Sequence, residues 1–402
     1  METVDGLRVI QETFEKDGGI FKMLPAFLPR RFGEPGFRLK LHPNDYYAFG
    51  VQRGAIKERW FSSIVPAMNG ELALPDEGLS YVYMEDKKQR FLFRDAVEGL
   101  SKELIGDELI ERYGTWPVFA KFYDYSTPLF HHLHLDDRSA ALVGKASKPE
   151  SYYFPYQLNN HMGRFPCTYF GFTPDTTKEE VKERLRNFEI CDNRITELSR
   201  AYRIELGTGW YTPPGVLHAP GSVLTYEPQW NSDVNCVFEN VTMGQPNPTE
   251  FLNENCPPDK KDDLDFIIGL LDWEENLRSD YKSKYFRPPV ECQRQDDRFV
   301  EKWIAYGNDY ISAKELTVLP GRSACIRDEA AYGCVVIQGF GDFGAHKCEA
   351  ATMLRIGQPS ADEFFVSRAA AVNGVEITNR SSVEPLVVLK HFGPDNPNVP
   401  VR

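Results

Sequence analysis

The chain has 402 residues, of which 42% are hydrophobic and 13% aromatic, so a large buried core is expected rather than disorder. Its formal net charge of −13 argues against nucleic acids and anionic membranes as partners. Eight cysteines without a CxxC pair, no signal-peptide pattern and no run of ~20 apolar residues predict a cytoplasmic protein.

The first half of the chain alternates between helical and extended patterns. Residues 1–17 have helical spacing, residues 20–85 are typical of strands and turns, and residues 86–113 are predicted to be helical with a break near Gly106. The aromatic segments 116–137 and 148–172 are predicted to be strands. Thr177 and Glu180 then fit a capping box that begins a helix, and a second short helix is predicted over 192–202.

The second half begins with strands and turns over 203–243. A long charged helix is predicted over 259–285, and the rest of the chain is almost entirely short strands separated by Gly, Pro and Asn turns. This order predicts a mainly β protein of jelly-roll type with inserted helical segments. We predict three parts: a domain over 1–245 with a helical insertion over 176–202, a helical connector over 246–290, and a second β domain over 291–402.

Two histidines stand two residues apart, at His132 and His134. On a strand, residues two apart point to the same face, so both imidazoles can reach one metal ion, while His131 points away. A hairpin pattern follows, running from Gly207 through Pro213 and Gly215 to His218. The combination resembles the cupin signature, which implies a β-barrel with a metal inside; the second β region lacks both patterns and is predicted to be a degenerate, metal-free cupin-like domain.

A more specific resemblance comes from Lys148, Pro149 and Glu150, which stand between the two histidine motifs. The order resembles class I mannose-6-phosphate isomerases, which implies a bicupin that binds one divalent metal ion through His132, His134, Glu150 and His218. Zinc is the expected metal, with manganese, iron or nickel as alternatives. His132 departs from the family, which has a glutamine at that position.

The resemblance extends to further positions. Glu227, nine residues after the hairpin histidine, matches a family glutamate, and Asp233 matches a Ser-Asp element that suggests substrate binding. Lys148 and Glu227 are the candidates for proton transfer. The family places an arginine where this chain has Val237, which weakens the case for a phosphorylated substrate. His161 and Arg164 are additional candidates for substrate contacts.

The predicted function is a metal-dependent aldose–ketose isomerase in carbohydrate metabolism, acting on a hexose or hexose phosphate through an enediol. Two alternatives stay open. Three histidines and one glutamate also suit a cupin oxygenase that uses iron or manganese. A non-catalytic sugar-binding cupin is the other. The expected partner is a small sugar or sugar phosphate, and the sequence leaves the oligomeric state open.

Overall fold

The structure is a computed structural model, and it describes residues 1–4, 6–161, 163–293 and 295–401. The strands of the first half are β1 (Glu2–Thr3), β2 (Ile20–Leu24), β3 (Ala26–Pro29), β4 (Ile56–Phe61), β5 (Tyr81–Met84), β6 (Gln89–Leu92), β7 (Val118–Asp124), β8 (His132–Leu133), β9 (Glu150–Tyr153), β10 (Cys167–Phe172), β11 (Ser199–Arg203), β12 (Gly209–Thr212), β13 (His218–Ala219), β14 (Leu224–Trp230), β15 (Cys236–Val237), β16 (Val241–Thr242) and β17 (Gln245–Pro246).

The strands of the second half are β18 (Phe286–Arg287), β19 (Val290–Glu291), β20 (Phe299–Ala305), β21 (Ser312–Val318), β22 (Ser323–Ile326), β23 (Tyr332–Gln338), β24 (Phe340–Phe343), β25 (His346–Glu349), β26 (Glu363–Val366), β27 (Val375–Asn379) and β28 (Leu386–Phe392). The helices are α1 (Leu7–Lys16), α2 (Phe93–Leu100), α3 (Lys102–Ile105), α4 (Asp107–Tyr113), α5 (Asp137–Ala141), α6 (Lys178–Arg186), α7 (Glu250–Asn253), α8 (Leu264–Ile268), α9 (Trp273–Leu277), α10 (Tyr281–Tyr285) and α11 (Arg368–Asn373).

Two sheets form the first barrel. One has the strand order β18-β12-β9-β14-β7-β4-β3, and the other has the order β11-β10-β13-β8-β15. Aromatic side chains from both sheets fill the space between them, among them Tyr152 and Trp210 from the first and Phe170 from the second. Because side chains alternate along a strand, each strand of the larger sheet has one face toward this interior and one away from it.

A second barrel is built from a long sheet with the order β1-β6-β5-β2-β26-β23-β28-β21-β20-β19 and a short sheet with the order β22-β27-β24-β25. Its core holds Leu316 and Val336 from the long sheet with Phe343 and Ile377 from the short one. The prediction of a mainly β bicupin with inserted helices is confirmed by this architecture. The outer face of the first barrel packs on the second through a shared apolar layer.

The strands of the first hundred residues are divided between the barrels. β3 and β4 belong to the first barrel, whereas β2 pairs with β26 in the long sheet of the second. Strand β2 of the predicted first domain (1–245) therefore lies in the sheet of the predicted second domain (291–402). Its partner β26 is more than 300 residues further along the chain.

The predicted helices are only partly correct. The capping box at Thr177 and Glu180 is confirmed at the start of α6. The single helix predicted over 259–285 is wrong: α8, α9 and α10 are three short helices, since Asp263 and Asp272 each accept a backbone hydrogen bond and begin a new helix.

Two other segments predicted to be helical contain strands. The short helix predicted over 192–202 is a 3₁₀ turn at Ile195–Leu198 followed by β11. The segment 86–113 opens with β6 and continues as α2, α3 and α4, interrupted at Ser101 as well as at the predicted Gly106. The longest described helix, α1, has ten residues, and within the described residues none has the length and apolar character needed to cross a membrane.

Candidate metal centre

Three histidines converge inside the first barrel. His132 on β8 is the register partner of His218 on β13, and His134 follows two residues further along the same chain segment. The ring centroids of His132 and His218 are 4.2 Å apart, and each lies 5.0 Å from that of His134. All three side chains are buried, and one nitrogen of each lies within 4.8 Å of the others. The structure thus brings together the three imidazoles that the two motifs single out.

The turn between β12 and β13 positions His218, and it carries the chain from one sheet of the barrel to the other rather than forming the predicted hairpin. Gly215 in this turn has a φ of 80°, a left-handed conformation that a side chain would strain. Its backbone N–H donates to the carbonyl of His134 at 2.8 Å, so the turn is tied directly to the segment that carries the other two ligands. The carbonyl of Gly215 accepts from the amide of Asn276, which fastens the outside of the turn.

Each histidine uses its Nδ1 for a backbone hydrogen bond. The acceptors are the carbonyls of Phe130 for His132 at 2.9 Å, Val234 for His134 at 2.8 Å and Val216 for His218 at 2.8 Å. A carbonyl can only accept, so Nδ1 carries the hydrogen and Nε2 presents a lone pair to the interior. Burial lowers the pKa of His132 far below its usual value and that of His134 to about 4, which keeps both rings neutral, as metal ligands must be.

Glu150 reaches the histidines from the facing sheet. Its Oε2 lies 2.9 Å from Nε2 of His134 and its Oε1 lies 3.3 Å from Nε2 of His218, while the Tyr152 hydroxyl donates to Oε1 at 2.7 Å. Burial raises the pKa of Glu150, but His134 and Lys148 lower it more, so the carboxylate is ionised. Each imidazole presents a lone pair and the carboxylate is ionised, so these four groups have few hydrogens to donate to one another. Such a set of ligand atoms fits a divalent metal ion.

Two lysines and a second glutamate lie beside this group. Lys148 Nζ is 3.2 Å from Glu150 Oε2, 3.2 Å from His134 Nε2 and 3.8 Å from Glu227 Oε1. Lys121 on β7 is the register partner of Glu227 on β14, and its Nζ lies 3.0 Å from the same oxygen. Burial, reinforced by the charge of Glu150, raises the pKa of Glu227 to about 8. The predicted proton-transfer candidates therefore adjoin the proposed ligands.

Sequence reasoning missed Lys121, Glu58 and Arg30. Glu58 on β4 forms a bidentate ion pair with Arg30, at 2.9 and 3.0 Å, and accepts a hydrogen bond from the Tyr125 hydroxyl at 3.1 Å. Asp233, a predicted substrate contact, lies 3.4 Å from Arg30 and accepts from the backbone N–H of Met68 at 3.0 Å. These residues join the site only through strand pairing, which local motifs do not encode.

The structure places His161 and Arg164 elsewhere. Lys121 projects into the first barrel, and Asp124, three residues on, projects from the opposite face of β7, where it holds Arg38 at 2.6 Å. Arg38 lines a cleft of about 300 Å³ together with His161 and Arg164. Within the described residues, neither of these two side chains forms a hydrogen bond or an ion pair with the four proposed ligands.

Among the described residues, His132, His134 and His218 of the first barrel form the group that could hold a metal ion. The second barrel offers no comparable group within the same residues. His346 Nε2 donates to the carbonyl of Ile20 at 3.1 Å, and His391 Nδ1 shares a hydrogen bond of 2.9 Å with the Tyr226 hydroxyl. Both histidines therefore make contacts that support the fold.

Comparison with known proteins finds matches at the level of structure. No protein-family model matches the sequence, and no curated protein matches it. The mannose 6-phosphate isomerase from Bacillus subtilis is similar with a TM-score of 0.63 at 16% identity, over 93% of this chain and 99% of that one. A histidine-to-glutamine variant of phosphomannose isomerase from Salmonella typhimurium gives 0.62 at 11% identity, over 94% and 100%.

A zinc-bound mannose 6-phosphate isomerase gives a TM-score of 0.63 at 11% identity, over 93% of this chain and 99% of that one. The similarity spans both barrels and the segments between them, so it concerns the whole architecture rather than a single cupin domain. The chain therefore has the bicupin fold of the mannose-6-phosphate isomerases, as the sequence resemblance predicts.

Proposed function

We propose that this protein is a metal-dependent aldose–ketose isomerase that acts on a hexose or hexose phosphate and holds zinc on His132, His134, Glu150 and His218. The observation that carries the proposal is the meeting of these four side chains with Lys148 and Glu227 inside one buried site. Similarity to mannose-6-phosphate isomerases supports it at the level of fold.

Interconversion of an aldose and a ketose moves one proton between C1 and C2 and a second between the two oxygens. A divalent ion on the four ligands would polarise the carbonyl and stabilise the negative charge that develops on oxygen. The chain supplies the proton carriers: Lys148 and Glu227, 3.8 Å apart, can take the proton from one carbon and return it to the other.

The surroundings keep this proton transfer protected from solvent. Lys148, Glu227 and Lys121 are each at least 94% buried, so a carbon-bound proton removed from the sugar does not exchange freely with water. Lys121 holds Glu227 in place through an ion pair of 3.0 Å. The two candidates are equivalent on geometry, so each is tested by its own substitution.

The test combines metal analysis with an isomerase assay on mannose, fructose and their 6-phosphates. Lys148→Met and Glu227→Gln are expected to keep the bound metal and to lose roughly 10²–10⁴-fold in turnover, the usual contribution of a proton-transfer group. Metal-loaded wild-type protein that isomerises none of these sugars would overturn the proposal and would favour a sugar-binding role if it still bound them.

A second candidate is a cupin oxygenase, favoured by the third imidazole, because three histidines and one glutamate suit iron or manganese as well as zinc. The lysine–glutamate pairs beside the ligands are better suited to proton transfer than to oxygen chemistry. Purified protein that contains iron and consumes oxygen with a sugar or another small substrate would decide for the oxygenase.

A further inference from the structure

The charges around the proposed site bear on which sugars can enter it. A phosphate ester carries close to two negative charges, and proteins recognise it with lysine or arginine side chains whose hydrogens are free to bind the phosphate oxygens. A basic side chain already paired with a buried carboxylate would have to leave that partner unpaired, which is strongly unfavourable in a buried site. The pairing of the basic side chains therefore indicates whether a phosphate is expected.

The basic side chains around the histidines are already paired. Lys121 lies 3.0 Å from Glu227, Lys148 lies 3.2 Å from Glu150, and Arg30 forms its bidentate pair with Glu58. All six side chains are buried. Arg30 also lies 3.4 Å from Asp233. Each of these three basic side chains therefore already has a buried carboxylate partner within the described chain.

The wall beside the histidines adds no cation. β15 pairs with β8, and Val237 is the register partner of His132. Cys236 and Val237 are both buried, with 1% and 0% of their surface exposed. The strand that borders the ligands is therefore apolar along this edge.

Two less buried basic residues, Arg164 and Lys145, are further candidates for a phosphate contact. Arg164 lines the cleft on the opposite face of β7, where it lies 3.7 Å from Glu34. Lys145 donates to the side chain of Asn255 at 2.5 Å and lies near Glu254, whose pKa burial raises although the charge of Lys145 lowers it. The first is on the wrong face, and the second also faces carboxylates.

We infer that the sugar converted at this site carries no phosphate group, so that the substrate is a free hexose or a similar uncharged aldose–ketose pair. The inference rests on the proposed isomerase function and narrows its substrate class. Uncharged hydroxyl groups suit the site because carboxylates and amines that are paired with each other can still exchange hydrogen bonds with hydroxyls without losing their ionic partners.

The experiment compares free and phosphorylated sugars with the full-length, metal-loaded protein. The kcat/KM for mannose and fructose is expected to exceed that for the 6-phosphates by about tenfold or more, because a phosphate that enters the buried site loses its water while the basic side chains named above stay paired with their carboxylates. Equal or faster turnover of the phosphate esters would overturn the inference. Inorganic phosphate in excess is expected neither to inhibit nor to raise the melting temperature, and stabilisation by phosphate that Lys145→Met abolishes would contradict it.

Binding measurements separate this inference from the proposed function. If no sugar is isomerised, the isomerase proposal fails, and calorimetric titration with mannose and mannose 6-phosphate still tests the charge argument. Tighter binding of mannose supports it, whereas tighter binding of the phosphate, or no binding of either, overturns it. Arg164→Ala and Lys145→Met are expected to leave the preference unchanged, and a selective loss of affinity for the phosphate in either variant would identify the cation that the argument excludes.

Discussion

Both barrels bury charged side chains, but they balance them differently. In the second barrel, Lys314 and Lys390 alternate with Glu301 and Asp328 in a closed four-membered group. Lys314 lies 3.0 Å from Glu301 and 2.6 Å from Asp328, and Lys390 contacts the same two carboxylates, at 2.6 Å for Asp328. Two positive and two negative charges therefore cancel within one cluster.

In the first barrel, several buried polar atoms around the histidines have no hydrogen-bond partner within the described chain. Nε2 of His218, Oε2 of Glu150 and Oε1 of Glu227 are buried and, within the described chain, form ion contacts but no hydrogen bond. An unsatisfied buried polar atom is costly, so a fold retains such atoms together where a ligand completes them. Burial of charge alone therefore does not indicate function, whereas unpaired acceptor atoms that converge on one point do.

The largest expected effect comes from removing one of the four proposed metal ligands in the first barrel. His218→Ala removes one of three imidazoles, and we expect bound zinc to fall from about one ion per chain to a small fraction, with turnover falling by ~10³-fold or more. Elemental analysis and the isomerase assay measure the two losses. We expect added zinc to raise the melting temperature of the wild type, because a ligand that binds only the folded state stabilises it, and we expect no such rise in the variant.

His131→Gln is the matched control, since His131 lies next to His132 but pairs with Glu239 at 2.8 Å on the other side of the strand. It is expected to lose some stability and to keep the metal. If His131→Gln lost zinc as completely as His218→Ala, metal loss would reflect damage to β8 rather than removal of a ligand, and the assignment of the centre would fail.

A smaller but substantial loss of stability is expected from removing one member of the four-membered charge group in the second barrel. Burial alone would lower the pKa of Lys390, but Asp328 and Glu301 raise it, so the ammonium is charged and held between them. Lys390→Met leaves two buried carboxylates with one lysine, and we expect a loss of about 3–5 kcal/mol in the free energy of unfolding. Urea denaturation measures this loss, and zinc content should stay at the wild-type level.

Replacing all four members with apolar residues of similar volume is the informative companion. A buried ion cluster often contributes little net stability over a well-packed apolar one, so the quadruple variant should be more stable than Lys390→Met alone. A quadruple variant that lost its metal would show that the second barrel's charges support the first barrel's site.

The sequence predicted the ligand group of the first barrel far better than the four-membered charge group of the second. His132, His134 and His218 stand in short motifs whose spacing follows from strand periodicity and a glycine turn, so their convergence is encoded locally. Lys121 and Glu58 meet the site only through the register of β7 with β14 and β4. No local pattern fixes that register, and single lysines or glutamates in strands carry no motif.

The same reason explains the errors in the fold. The pairing of β2 with β26 joins residues more than 300 positions apart, and nothing in residues 20–24 specifies that partner. The division of the segment 259–285 into short helices could have been predicted locally, because Asp263 and Asp272 are helix-capping residues and Gly269 lies between them. The prediction of a single helix followed the apolar periodicity and gave these signals too little weight.

The layer between the two barrels holds a third group of buried charges. Arg59 on β4 binds Asp362 at 2.7 and 2.8 Å and Glu363 at 2.9 Å, so two carboxylates share one guanidinium. Burial, together with the charge of Asp362, raises the pKa of Glu363 from 4.5 to about 8 despite Arg59. In the folded protein Glu363 therefore holds a proton at neutral pH that the unfolded chain has lost.

The sign of the pH dependence follows. Between pH 4.5 and 8 the folded state binds more protons at Glu363 than the unfolded state does, so its contribution to stability is greatest below pH 4.5 and is lost as the pH rises to 8. Glu363→Gln mimics the protonated form and should flatten this decline, which at ~1.4 kcal/mol per pH unit amounts to at most about 5 kcal/mol across the window. Urea denaturation at several pH values measures the slope. Asp362→Asn should flatten it too, by a different route, because it leaves Arg59 to Glu363 alone and so lowers the pKa of Glu363. A slope that neither substitution changes would mean that Glu363 is ionised in the wild type and that this layer, like the second barrel, balances its own charge.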